Sequence, residues 1–169
     1  QIITRDRNRI ALQSDLLGAA NLGIRNVLCL SGFHKALIGC SESANVFDVD
    51  SIQLVDMVKR MNKGQLADGT KIHGQFDMLI GAAANPSLKP LELNILRLRK
   101  KIAAGADFIQ TQPVFDMDNF RVWLEAVRDE GLADKAAILA GVMPLKSAEQ
   151  ASELIEHHTD FSIPESVIS

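Results

Sequence analysis

The sequence has little of what marks several large classes of protein. It has no tyrosine and no block of basic residues, and its 18 lysine and arginine residues face 21 acidic ones, so we do not expect a dedicated nucleic-acid binder. Its two cysteines, Cys29 and Cys40, are too few for a disulfide scaffold or a zinc site, and no spaced set of cysteine and histidine predicts any other metal. No apolar run approaches the roughly 20 residues that cross a bilayer, and no signal peptide is visible. These absences predict a cytoplasmic protein with free thiols and no membrane partner.

The composition that is present is typical of a folded domain. Of 169 residues, 47% are apolar and 23% are charged, with a formal net charge of −3, which excludes an intrinsically disordered chain. A chain of this length buries about 70% of its unfolded surface, and no linker or low-complexity segment divides it, so we expect a single domain over 1–169. The chain opens at Gln1 within what resembles the end of a strand, and we expect it to be part of a longer protein.

Short apolar runs alternate with amphipathic helical patterns along the whole chain. The runs are typical of strands buried on both faces and cover 1–4, 26–31, 78–84, 108–112 and 137–142. The helical patterns, with apolar residues three and four apart, cover 9–22, 51–61, 90–104, 116–130 and 147–156. Such alternation predicts an α/β fold whose parallel strands are joined by right-handed helical crossovers.

Several residues at the ends of the predicted helices support their boundaries. Pro90 suits a first helical turn, and Gly105 and Gly131 suit the position just after a helix. Asp116 is read as an N-cap, and the sequence SAEQ from Ser147 is a capping box. These signals act locally, and they strengthen the division of the chain into strand and helix units.

The choice then lies between an open doubly wound sheet and a barrel. No G-x-G-x-x-G run or P-loop follows a strand, which disfavours a dinucleotide-binding open sheet. A (β/α)8 TIM barrel fits better but normally takes about 250 residues, and this chain supplies about five β/α units. We therefore predict the central and C-terminal-side part of a barrel. Because such a part would leave strand edges uncovered, we expect pairing with further segments, with a second copy in an oligomer, or with a partner subunit.

Polar residues follow the predicted strands, where a parallel barrel gathers its chemistry. They lie at 5–8, 31–34, 84–86, 111–113 and 141–144, and His34 is one of them. Gln110 and Gln112 alternate on one strand face, where their amides suit a flat heterocycle with adjacent N–H and C=O groups; the alternative is a pair of amides satisfied inside the barrel.

Two further patterns suit a bound ligand but also have ordinary structural explanations. The small residues of GAAANP (81–86) let a backbone come close to a ligand or pack a tight barrel layer, and Asn85 is held extended by the following proline. Asn94, Arg97 and Lys101 recur along one predicted helix and could hold a phosphate or ribose, although such residues are more often solvated. No serine nucleophile elbow or clear acid–base pair is present.

Taken in order, six segments resemble the methylenetetrahydrofolate reductase family over about 4–164. They are RDRNRIALQSDLLGA (5–19), GIRNVLCLSG (23–32), VFDVDSIQL (46–54), GAAANP (81–86), AGADFIQTQ (104–112) and ILAGVMPL (138–145). The resemblance implies a flavoprotein of one-carbon metabolism and methionine biosynthesis, an oxidoreductase with a (β/α)8 barrel. It implies FAD-dependent reduction of 5,10-methylenetetrahydrofolate to 5-methyltetrahydrofolate, with electrons from a reduced nicotinamide nucleotide or another donor.

The resemblance also implies roles for individual residues. Gln112 matches the family glutamine that contacts the folate pterin, and Lys101 matches a lysine near the FAD phosphates. The remaining implied cofactor contacts are Asn94, Arg97, Ser31, Gly32, Phe47 and Asn85.

The sequence departs from the family pattern beside the flavin. Phe33 stands where the family usually has an aspartate, and a phenyl ring neither accepts a proton nor tunes a flavin by charge. The resemblance still places Phe33 among the residues that line the cofactor site. The resemblance puts the family's catalytic glutamate before residue 1 and further folate contacts beyond 163–164, so no catalytic residue is assigned within the chain. Two alternatives to an active reductase therefore stay open. One is a non-catalytic homologue or partner-binding subunit, which Phe33 favours, and the other is a barrel enzyme that uses folate or flavin for different chemistry.

Overall fold

The structure, a computed structural model, describes residues 1–34, 42–74, 76–157 and 162–168, and Cys40 lies outside them. Within these residues the strands are β1 (Ile2–Ile3), β2 (Asn26–Leu30), β3 (Leu79–Ala84), β4 (Phe108–Pro113) and β5 (Ala137–Gly141). The helices are α1 (Arg9–Asn21), α2 (Ser51–Asn62), α3 (Leu91–Ala104), α4 (Met117–Asp129), α5 (Ala148–His157) and α6 (Glu165–Ile168). Each strand and helix predicted from the sequence is present, and α6 is an addition.

The order of strands decides between the two predicted α/β architectures. The strands of the described residues form one five-stranded sheet in the order β1-β2-β3-β4-β5. β1 pairs parallel to β2 and β2 parallel to β3, with Val27 opposite Ile80. Doubly wound sheets place later strands on both sides of the first, so their order is never sequential. The parallel α/β sheet is confirmed, and its sequential order is that of consecutive units of a TIM barrel.

The chain divides into two compact units, and the first comprises residues 1–82 and 100–108. Its core residues are Leu12, Leu16, Val27, Cys29, Leu54, Val58, Met61 and Ile80, all buried. Side-chain bonds fix the starts of its strands. Asn62 of α2 donates to the carbonyl of Met78 at 2.8 Å and accepts from its N–H at 2.9 Å, and Asp107 accepts the N–H of Ile80 at 2.8 Å. These bonds tie α2 to the amino end of β3, and the amino end of β4 to β3.

Cys29 should be chemically inert while the protein is folded. Its side chain is fully buried in β2, and burial raises the pKa of its thiol to about 12. In a Cys40→Ser background, we therefore expect a thiol reagent at pH 8 to label Cys29 only through unfolding, at least about 100-fold more slowly than in urea. Because the folded pKa is raised, the thiol should also favour folding below the unfolded pKa and lose that effect as pH rises towards 12. Rapid labelling of native protein would contradict the burial of this side chain.

The second unit comprises residues 83–99 and 109–169. Its core is built around Trp123, which is fully buried and stacks on Phe120 with ring centroids 5.9 Å apart. The predicted N-cap is confirmed, because Asp116 accepts the N–H of Asn119 at 2.9 Å. The capping box at Ser147 is half formed: its hydroxyl accepts the N–H of Gln150 at 3.2 Å, but the Gln150 side chain returns to the N–H of residue 146 instead of 147.

In both units some residues of the strands are exposed. Leu79 in β3 is 50% exposed, and in β5 Ala137, Leu139 and Ala140 are all exposed. Ala137 and Leu139 share one face of β5 because they are two residues apart, and one such face of each strand forms the interior of a complete barrel. The expected pairing with further segments, a second copy or a partner subunit stays a prediction, as does the single domain. Across the residues described above, no helix is both long and apolar enough to span a membrane.

Candidate functional site

The carboxyl ends of β1 and β2 in the first unit lie against each other and form one edge of the candidate site. The N–H of Thr4 donates to the carbonyl of Leu30, and the N–H of Arg5 donates to that of Ser31, both at 3.1 Å. Gly32 then turns the chain with φ +84°, and a Cβ there would lie 2.5 Å from Ile3 Cγ2. Only glycine fits this turn, because both the backbone conformation and the space exclude a side chain.

An arginine just after β1 holds the backbone at Phe33. The Arg5 guanidinium binds both carboxylate oxygens of Asp6 at 3.0 Å and donates to the carbonyl of Phe33 at 3.2 Å. The backbone carbonyl of Arg5 accepts the N–H of Val46 at 2.8 Å. Arg5 therefore joins the ends of two strands to the segment that precedes α2, and its charge is balanced by Asp6.

The segment 45–51 closes the edge through further bonds. The hydroxyl of Ser31 accepts the N–H of Ser51, the first residue of α2, at 3.1 Å. Asn45 Nδ2 lies 2.6 Å from His34 Nε2. Ser31 thus has a structural task at this edge, so a cofactor contact by its hydroxyl would share that oxygen with α2.

Arg9 and Asp48 anchor the same segment with a pair that depends on pH. Asp48 accepts the N–H of Arg9 at 2.9 Å and two guanidinium bonds at 3.0 and 3.1 Å, and these bonds lower the pKa of its carboxyl. The attachment should therefore persist above the ordinary aspartate range, near 3.9, and be lost as pH falls through the lowered folded value. A carbon NMR titration should place the Asp48 pKa below its value in the urea-unfolded chain, and Arg9→Ala should reduce that difference to the part that the backbone N–H of residue 9 supplies. Equal values in folded and unfolded protein would show that the pair does not form.

Two aromatic rings are exposed on this edge. Phe33 is 47% exposed and Phe47 is 38% exposed, although rings of this size normally bury most of their area. Phe47 also has φ +42°, a conformation that is uncommon for a residue other than glycine and is often found at ligand sites. An exposed ring held in strained backbone is a feature that packing alone does not explain.

In the second unit, the loop after β3 is held by side-chain amides. The Oδ1 of Asn85 accepts the N–H of Ser87 at 3.0 Å, and Asn94 donates to the carbonyls of Asn85 and Leu88 at 2.7 and 3.1 Å. Asn119 donates to the carbonyl of Pro86 at 3.2 Å. The predicted extended Asn85 thus begins a tightly bonded turn.

The three residues predicted to line one helix face have different surroundings. Asn94 is buried at 9% exposure, whereas Arg97 is exposed and forms no ion pair within the described part of the chain. Lys101 is half-buried in the last turn of α3, where its positive charge interacts favourably with the helix dipole. Its carbonyl accepts the N–H of residue 106, at the amino end of the sheet. Its backbone therefore lies at the opposite end of the first unit from Ser31.

The end of β4 presents the glutamine that the sequence singled out. Gln112 is half-buried and Gln110 is exposed, on the strand face opposite the buried Ile109 and Thr111. The side-chain amide of Gln112 forms no hydrogen bond within the described residues, whereas the hydroxyl of Thr111 bonds to the backbone of Gln112 and Gly141 at 2.8 and 2.9 Å. The alternative prediction, in which both amides are satisfied by hydrogen bonds inside the barrel, therefore does not describe Gln112 within the described residues. Its amide can offer both a donor and an acceptor to a ligand.

Comparison with known proteins adds to this geometry. A family model described as methylenetetrahydrofolate reductase matches residues 1–169. The chain belongs to the methylenetetrahydrofolate reductase family.

Two curated relatives carry the same name. Methylenetetrahydrofolate reductase 1 of Schizosaccharomyces pombe is 29% identical over 140 residues, which cover 80% of this chain and 21% of that protein. Methylenetetrahydrofolate reductase 2 of Saccharomyces cerevisiae is 39% identical over 72 residues, which cover 39% of this chain and 12% of that protein. The chain thus spans about a fifth or less of the length of the relatives it matches.

Sequence reasoning placed Arg5 and Asp6 among the polar residues after the first strand but did not foresee their ion pair, and it missed Asn119 altogether. Arg5 and Asp6 follow the first strand as an adjacent pair of opposite charge, which was a visible signal for an ion pair. Asn119 has no comparable signal, because its partners at Pro86 and Lys89 are far away in sequence. Within the described residues no group of three His, Cys, Asp or Glu side chains converges, and the absence of a metal stays a prediction.

Proposed function

We propose that the protein containing this chain reduces 5,10-methylenetetrahydrofolate to 5-methyltetrahydrofolate and uses FAD as its cofactor. The observation that carries the proposal is the family match over residues 1–169. Bound FAD would supply the hydride chemistry, with electrons from a reduced nicotinamide nucleotide or another donor. The chain's own part in this reaction is to bind and orient, since no general acid is assigned within it.

The described side chains have the chemistry that such a cofactor needs. In the first unit, the exposed rings of Phe33 and Phe47 offer flat apolar faces to a flavin, next to the fixed turn at Ser31 and Gly32. In the second unit, Asn85 lies in a rigid turn, and Arg97 is an exposed cation that suits a phosphate. Lys101 remains a proposed phosphate contact, and we propose that Gln112 recognises the pterin through its amide.

Titration of the full-length protein with FAD, followed by flavin absorbance, tests cofactor binding. Arg97→Ala and Lys101→Ala should each raise the Kd for FAD about 5- to 20-fold, because each removes a charge-assisted bond. Arg121→Ala is a matched control, since Arg121 is an exposed helix cation that binds Asp118 at 2.8 Å. Absence of FAD binding by the parent protein would overturn the proposal.

Steady-state reduction of 5,10-methylenetetrahydrofolate tests the substrate role of Gln112. Gln112→Ala should lower kcat/KM about 10-fold or more because a bidentate amide contact is lost. Gln110→Ala is the matched control, since Gln110 lies on the same face of β4 and is exposed. Equal losses from the two variants would argue against specific recognition by Gln112.

A second candidate function is a non-catalytic, partner-binding homologue, and Phe33 is the observation that favours it. The exposed ring offers no carboxylate where the family resemblance expects one, and an exposed aromatic residue suits a protein contact. Phe33→Asp in the full-length protein separates the two functions. Reductase activity that appears or rises would indicate an enzyme weakened at this position, whereas FAD-free, inactive protein before and after the change would favour partner binding.

A further inference from the structure

Asn94 is a buried polar side chain whose two N–H donors are both used within the second unit. Its exposure is 9%. Its Nδ2 donates to the carbonyls of Asn85 at 2.7 Å and Leu88 at 3.1 Å, and its Oδ1 accepts from the indole N–H of Trp123 at 3.3 Å. A side-chain amide has two N–H donors. Both are therefore committed to the loop after β3, and neither is left for a ligand.

The hydrogen bond from the Trp123 indole to Oδ1 of Asn94 fixes the orientation of this amide. Trp123 is fully buried on α4 and stacks on Phe120, and a buried indole N–H normally finds an acceptor. With Oδ1 held by the indole, the two N–H groups of Asn94 must point towards the loop. The position of the Asn85 carbonyl thus depends on a side chain that is itself oriented by the tryptophan.

We propose that Asn94 is a positioning residue that fixes the turn at Asn85 for the cofactor and does not contact the cofactor itself. The inference rests on the proposed function, and it replaces the direct cofactor contact that the sequence suggested for Asn94. Asn85 begins the turn by accepting the N–H of Ser87 on its side chain and that of Leu88 on its backbone. Release of its carbonyl by Asn94 would loosen both of these bonds.

Amide hydrogen exchange tests the positioning without any ligand. In Asn94→Leu, which keeps the branched shape at a somewhat larger volume and loses all three bonds, the amides of Ser87 and Leu88 should exchange about 10-fold faster relative to the globally protected amides. Asn62→Leu is the matched control, since Asn62 forms a comparable pair of bonds with Met78 and none with the turn. Should Asn94→Leu fail to fold, Trp123→Phe removes the indole donor together with part of a buried ring, and it should accelerate the same amides about threefold relative to the globally protected amides. Unchanged exchange at 87 and 88 would overturn the proposal.

FAD titration of the full-length protein then separates positioning from contact. We expect Asn94→Leu to raise the Kd for FAD about 10-fold, Trp123→Phe to raise it less, and Asn62→Leu to leave it unchanged. A rise in Kd with unaltered exchange at 87 and 88 would indicate direct contact and overturn the proposal, as would faster exchange with unaltered Kd. A parent protein that binds no FAD would overturn the proposed function, and with it the cofactor role of Asn94, whatever the exchange data show.

Discussion

Replacing Gly32 by alanine is expected to destabilise the protein by about 2–5 kcal/mol and to disrupt the turn after β2. Two effects add here. A residue with a Cβ at φ +84° loses about 1–2 kcal/mol, and a Cβ 2.5 Å from Ile3 Cγ2 and 3.3 Å from Arg5 Cβ forces the neighbouring strand end to move, which costs about 1–3 kcal/mol. Urea unfolding at unchanged m-value measures the loss.

Gly23→Ala separates these two effects. Gly23 has φ +85°, and a Cβ there would meet nothing within 4 Å, so alanine should lose only the conformational part, about 1–2 kcal/mol. The difference between the two variants is the steric part. Equal losses would mean that the strand end yields freely and that Gly32 matters only for its backbone conformation. We also expect Gly32→Ala, but not Gly23→Ala, to weaken FAD binding, since the turn carries Phe33.

Gly141→Ala should destabilise the second unit by about 1–3 kcal/mol and displace Gln112. A Cβ at Gly141 would lie 2.7 Å from the carbonyl oxygen of Thr111 and 3.0 Å from the carbonyl atoms of Gln112. These neighbours are backbone atoms and cannot rotate away as a side chain does. The strands must separate, and the bond from the N–H of Gly141 to the Thr111 hydroxyl at 2.9 Å should break with them.

Gly18→Ala is the matched control for the change of residue type. Gly18 lies in α1 with no positive φ, and an added Cβ would meet no atom within 4 Å beyond its chain neighbours and the nearby backbone of its own helix, so alanine should stabilise the protein by about 0.5–1 kcal/mol. For Gly141→Ala we expect a fall in kcat/KM for the folate that resembles that of Gln112→Ala. A variant of normal stability and normal kcat/KM would show that β4 and β5 tolerate a wider separation.

The secondary structure could be predicted from the sequence because its signals are local. Apolar spacing marks each strand and helix, and residues such as Asp116 and Gly131 fix the ends through bonds or φ angles within a few positions. The helix Glu165–Ile168 was missed because four residues are too few to show a period. Alternation of units predicted parallel strands with helical crossovers, and the sequential order followed only from the choice of a barrel over an open sheet, which rested on the missing dinucleotide motif.

The side chains of the candidate site were less predictable because their partners are far away in sequence. Asn94 and Arg97 are three residues apart and were expected to act together, yet one is buried beneath Trp123 and the other is exposed. Residue type and helical spacing do not reveal a tryptophan 29 positions later. In the same way, nothing near Ser31 shows that its hydroxyl is occupied by the first N–H of α2.

The backbone at Phe47 has a consequence for how this protein would respond to selection. A left-handed conformation at φ +42° is easier for glycine or asparagine than for an aromatic residue. A library screened for thermal resistance alone should therefore drift towards those residues at position 47, while one screened for cofactor retention should keep the ring. The difference between the residues that the two screens select at position 47 would measure how much backbone strain is tolerated there in order to keep an exposed aromatic ring.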